Sequence, residues 1–137
     1  MSSYHANITI NAPTQKVFEA LTEPELIKLW QFGKELITDW EVGSEIKFRV
    51  DFEEKSLEQW GIILEVKTNE LIKYNLFTPR EALEDKLENF CITSYILTNE
   101  KEQTKVELIQ EDNRINSFEV KNLKPILLSL KNIAETH

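Results

Sequence analysis

Five aromatic side chains, Trp30, Phe48, Trp60, Tyr74 and Tyr95, are the residues of this chain best suited to recognition chemistry. Their rings offer broad apolar faces, while an indole N–H or a phenol O–H supplies the few polar handles that orient a small molecule in an apolar pocket. The same residue types fill ordinary cores, so the pattern leaves two readings: a packed interior or the wall of a cavity. Arg49 and Arg80 carry the planar paired donors that suit a carboxylate or phenolate. The strand phase, however, turns Arg49 away from Phe48 and toward solvent.

Other chemistry lacks material. His5 and His137 are the only histidines, one near each end, so neither a metal site of several imidazoles nor a Ser/His/Asp triad can be assembled. His5 reads as a surface residue. Cys91, the single cysteine, excludes an intramolecular disulfide and a cysteine zinc cluster, and between Phe90 and Ile92 it reads as a small hydrophobe. "EDNRIN" from Glu111 lacks the glycine and the closing glutamate of a calcium loop. The three glycines, Gly33, Gly43 and Gly61, cannot build a phosphate-cradling loop, so no cofactor is expected. An acid–base enzyme would have to draw on Tyr74, Tyr95, Asp51, Glu58 and Arg80, which form no recognisable constellation.

Charge narrows the partners. With 24 acidic against 16 basic side chains the formal charge is -8, a field that repels phosphate backbones and anionic headgroups. Neither nucleic acid nor membrane insertion is expected. Lys121, Lys124 and Lys131 fit the solvated side of a helix better than a basic patch. A composition of 41% hydrophobic and 29% charged residues is that of a globular chain, read as one domain over residues 1–137. No basic region followed by an apolar run opens the sequence, and no apolar stretch nears ~18 residues, so a cytoplasmic protein is expected.

The elements that must position the aromatics follow from periodicity. Ala6, Ile8 and Ile10 alternate along a first strand. Pro13 then opens a helix carrying Val17, Phe18 and Leu21, and Thr22 to Glu25 reads as a capping box for a second helix with Leu26, Leu29 and Trp30 on one side. Past Gly33 the period becomes two. "ELI" is a short strand, Val42-Gly43-Ser44 a turn, and Ile46, Phe48, Val50 and Phe52 one face of the next strand. Trp60, Ile62, Leu64 and Val66 share a face after that, followed by "LIKYNLF" to Phe77. Residues 78–90, with Ala82, Leu83 and Leu87, fit either a helical turn or a mobile loop. Thr93, Tyr95 and Leu97 pair across a turn with Val106, Leu108 and Gln110. At the end Leu123, Ile126, Leu127, Leu130, Ile133 and Ala134 form an apolar stripe, capped by Asn122, with Pro125 in the first turn. The predicted class is α+β, with the terminal helix laid across an antiparallel sheet.

This order resembles a known family. "ITINAPTQKVFEALTEPELIKLW", "WEVGSEIKF", "GIILEVKTNELIKYNLF" and "LLSLKNIAE" are similar to the homologues of the activator of heat-shock-protein-90 ATPase, within the START-like (SRPBCC) superfamily. Ala12-Pro13 with Val17 and Leu21 would supply the family's opening helix, Trp30 the aromatic that ends the second helix, and Val42-Gly43-Ser44 the turn before the third strand. The chain departs at Ser44, where a second glycine is common, and at Phe118 and Leu123, where many members carry Gly-Trp. The resemblance implies a helix-grip fold: a curved antiparallel sheet around a long C-terminal helix, with two short helices after the first strand and often a hydrophobic cavity between. That cavity would be lined by Trp30, Phe48, Trp60, Tyr74, Tyr95, Leu127 and Leu130. The expected function is noncatalytic binding or carriage of a small hydrophobic molecule of lipid, polyketide or phenolic type. The alternatives are a co-chaperone-like module with a chaperone partner and a polyketide cyclase-like enzyme.

Overall fold

Seven strands and three helices follow one another in the predicted order. The computed structural model describes residues 2–31, 33–52, 54–79, 90–112 and 123–137. They form β1 (Ser2–Ile10), α1 (Thr14–Thr22), α2 (Pro24–Trp30), β2 (Glu35–Ile37), β3 (Glu45–Phe52), β4 (Lys55–Lys67), β5 (Leu71–Leu76), β6 (Cys91–Glu100), β7 (Gln103–Asp112) and α3 (Lys124–Thr136). All pairings are antiparallel in one sheet of order β1-β7-β6-β5-β4-β3-β2. Only β1 leaves sequence order, closing beside β7; the remainder is a meander of hairpins. Arg80, Ala82, Leu83, Leu87, Phe118, Lys121 and Asn122, and the stretch after Asp112, lie outside the described residues.

One face of the sheet is apolar because the registers align the alternations. Ile8 stands opposite Val106, which stands opposite Leu97; Ala6 opposes Leu108, which opposes Tyr95, which opposes Ile72. Against this face lie Leu127, Leu130, Ile133 and Ala134 of α3, Val17, Ala20 and Leu21 of α1, and Ile27 and Trp30 of α2, all buried. Thr104, itself buried, donates its hydroxyl to the Ala12 carbonyl at 2.8 Å and fastens β7 to the turn that enters α1. Pro125 sits in the first turn of α3, as expected.

The helix starts differ from the sequence expectation. No side-chain cap closes α2: Glu23 is its N-cap, and the Thr22 hydroxyl instead donates back to Phe18 O at 2.8 Å. With only Glu23 between α1 and α2, Thr22 still belongs to α1, where its hydroxyl bonds one turn back. Leu29 is exposed, and Ile27 takes its place against the core.

A larger correction concerns β4. Ile62 and Leu64 are exposed at 44% and 37%, whereas Ile63 is fully buried opposite Tyr74. A bulge between Ile63 and Glu65 reverses the phase, so that Val66 still reaches the core side opposite Ile72. Gly61 marks the same irregularity. A Cβ there would lie 1.8 Å from the Asn75 carbonyl oxygen, and the Asn75 side chain takes the Ile62 N–H at 2.7 Å in place of a ladder partner. The glycine is required by this close approach of two backbones.

The outward edge of β1 is tied to α3 by exposed hydrogen bonds. Lys124 donates to the Asn7 carbonyl at 2.6 Å and Lys131 to the Thr9 carbonyl at 3.1 Å, while Asn11 N–H donates to Glu135 at 2.7 Å. Lys131 and Glu135 also pair one turn apart on α3. Lys124 and Lys131 lie on the outer side of α3, as expected, and there also hydrogen-bond the backbone of the edge strand.

Candidate functional site

Between α2, α3 and the inner face of the sheet lies a cavity of about 280 Å³, walled by Trp30, Phe48, Tyr74, Leu76, Tyr95 and Ile126. Gly33 is what folds the chain into it. With φ at +85° it follows α2, and its N–H satisfies the Lys28 carbonyl. The reversed backbone brings Lys34 next to the cavity before β2 begins.

Trp30 meets Tyr95 edge to face, with centroids 6.4 Å apart and planes at 84°. Its N–H is already used, donating to the buried Ala20 carbonyl at 2.7 Å. The indole therefore offers the cavity its ring and anchors α2 on α1 with its nitrogen. Phe48 tilts against Tyr74 at 6.0 Å. The phenols of Tyr74 and Tyr95 are hydrogen-bonded to each other. Burial is the main cause that pushes both above the ordinary tyrosine range, so both remain neutral at physiological pH. Gln31, Thr93, Gln110 and Ser129 add further polar groups to the wall.

A second hollow, of about 620 Å³, opens beside the β3–β4 hairpin along Phe48, Val50, Leu57, Gln59, Trp60 and Thr78. Lys34, Phe48 and Gln59 border both hollows and form the neck between them. The Lys34 amine donates to Gln59 Oε1 at 3.4 Å and lies 5.8 Å from the centre of the Phe48 ring. Gln59 is held in turn, its amide donating to the Thr78 hydroxyl at 2.8 Å. Burial lowers the Lys34 pKa from its ordinary value.

The structure thus brings Trp30, Phe48, Tyr74 and Tyr95 around one space. It does not place the other three expected lining residues there. Leu127 and Leu130 are fully buried in the core beneath the cavity. Trp60 stands opposite Lys47 and beside Phe77, whose ring it packs at 5.3 Å, because Gln59 and not Trp60 shares the face of Phe48. It borders only the outer hollow. The residues considered for acid–base chemistry scatter: Asp51 is bound to Arg49, Glu58 pairs with Lys47, and only the two tyrosines meet. Arg49 is exposed, with Ser56 as a further partner, and His5 is exposed beside Ser3. Among the described residues no group of His, Cys, Asp and Glu could hold a metal ion, and no helix is long and apolar enough to cross a membrane.

Residues 11–125 match the family described as "Activator of Hsp90 ATPase homolog 1-like protein". The chain belongs to this family. Among solved structures, one from Cytophaga hutchinsonii is 32% identical, with a TM-score of 0.72, 96% of this chain covered and 86% of that one. The Aha1 dimer from Colwellia psychrerythraea is 19% identical, with a TM-score of 0.69 and coverage of 99% and 98%. A protein from Mesorhizobium loti reaches a TM-score of 0.76 at 17% identity, covering 96% of each chain. Comparison with curated proteins gives no match. In this Hsp90-activator-like chain the lining residues that sequence reasoning missed include Lys34 and Gln59 at the neck and Leu76, Thr93, Gln110, Ile126 and Ser129 in the wall. Gly33 at the end of α2 was a usable signal for Lys34; Gln59 needed the phase of β4, which Gly61 and the bulge conceal.

Proposed function

We propose that this member of the Hsp90-activator-like family binds or carries a small hydrophobic molecule between its sheet and α3, without catalysing its conversion. The observation that carries this reading is the aromatic cavity of Trp30, Phe48, Tyr74 and Tyr95, whose walls are mainly apolar and whose polar atoms are few. A lipid, polyketide or phenolic body suits such a wall. The test is titration of the purified protein with an apolar fluorescent dye and mass spectrometry of its solvent extract. Ser129 lines the cavity from α3, and Ser129→Phe is expected to abolish dye binding while leaving the thermal unfolding midpoint close to that of the parent. Absence of binding by the parent, or undiminished binding by Ser129→Phe, sinks the reading.

A co-chaperone role is the second reading, supported by the family match over residues 11–125. Stimulation of the ATPase of the host's heat-shock protein 90 by the purified chain would support it. No change in that rate would remove it.

A further inference from the structure

We propose that the occupant of this cavity is an amphipathic carboxylic acid, its carboxylate on the Lys34 amine at the neck and its apolar body between Trp30, Phe48 and Leu76. The inference rests on the binding reading above and adds the chemical class of the ligand. Lys34 is the only cation bordering the inner cavity among the described residues, and it borders both hollows. An ammonium group has three donors. One is directed to Gln59 at the long distance of 3.4 Å, and the centre of the Phe48 ring lies 5.8 Å from the nitrogen. Among the described residues no carboxylate pairs with this amine, in a chain that carries 24 acidic side chains against 16 basic ones.

A half-buried ammonium with no carboxylate partner among the described residues is costly, and an opposite charge brought within hydrogen-bond distance offsets that cost. Burial has already lowered the Lys34 pKa, and an arriving carboxylate would reverse that effect by favouring the charged amine. The neck is also preorganised. Thr78 fixes the Gln59 amide, so the Gln59 oxygen holds Lys34 from one side and leaves the others open to the hollows. The charge count selects among anions. Arg49 borders the outer hollow, but its Nε is bound to Asp51 at 3.2 Å and to Ser56 at 3.0 Å. One available positive charge matches a monoanionic carboxylate better than a phosphate dianion.

The test compares dodecanoic acid with 1-dodecanol, equal in chain length, by calorimetric titration of the parent protein, Lys34→Met and Lys34→Arg. The parent is expected to bind the acid roughly 10- to 100-fold more tightly than the alcohol, the range set by one charge-assisted hydrogen bond. Lys34→Met should bring the acid down to the affinity of the alcohol while leaving the alcohol unchanged, and Lys34→Arg should keep the preference. Thermal unfolding of both variants shows whether they are folded. Equal affinity of the parent for acid and alcohol, or a preference that survives in folded Lys34→Met, overturns the assignment and leaves the cavity reading intact. Failure of the parent to bind either probe overturns both.

Discussion

Trp30 donates its indole N–H to the Ala20 carbonyl and turns the edge of its ring system on Tyr95. One side chain thus sets the distance between α1 and α2 and forms part of a wall. Ala20 and Trp30 are both buried, so no water is at hand to replace that hydrogen bond. Trp30→Phe keeps an aromatic ring, orphans the carbonyl and leaves a void, and is expected to cost roughly 2 to 4 kcal/mol in denaturant unfolding. An unchanged unfolding midpoint would mean that the indole nitrogen contributes nothing. At this scale the sequence was partly readable. The position of Trp30 after Leu26 points it inward, but nothing in the residue order says that its N–H is already occupied.

Among the elements, β4 departs most from a regular strand. Its backbone presses so closely on β5 at Gly61 that a methyl group would overlap the Asn75 carbonyl. Gly61→Ala is therefore expected to destabilise by about 1–3 kcal/mol or more, and to shift the amide resonances of Asn75 and Ile62 in an NMR spectrum. Retention of parent stability would show that β4 can straighten without loss. The same feature explains what the sequence revealed of the sheet. β1 and β3 keep their alternation, and Ile10, Phe48, Tyr95 and Leu108 are buried as their spacing requires. In β4 the apolar run Ile62-Ile63-Leu64 reads equally well in either phase, and only the bulge decides. Placing Trp60, Ile62 and Leu64 inward followed from assuming an unbroken period of two, which hid Gln59. The short helices were legible from Pro13 and Pro24, whereas the capping box expected at Thr22 does not form, because the loop between α1 and α2 shrinks to one residue.

For the molecule as a whole, the attachment of α3 to β1 is the contact that closes the fold, joining its last element to its first. Glu135 takes the Lys131 amine and the Asn11 N–H, and these bonds hold its carboxyl below the ordinary value of 4.5. The sign follows: the unfolded chain takes up this proton near pH 4.5 and the folded chain only at lower pH. The stabilisation is therefore complete above pH 4.5 and lost as pH falls through the depressed folded value. Unfolding midpoints measured from pH 7 downward are expected to drop less steeply for Glu135→Gln than for the parent. Parallel curves would show that this carboxylate is not coupled to folding.

The sheet has two edges, and they are unequal. β2 offers three residues, Glu35–Ile37, a template too short to recruit another chain, whereas β1 runs for nine. Only the long edge invites a neighbouring molecule to continue the ladder, and α3 occupies it with Lys124, Lys131 and Glu135 at Asn7, Thr9 and Asn11. While α3 stays seated, the carbonyls of Asn7 and Thr9 are engaged, which blunts this end of the long edge against pairing with another chain.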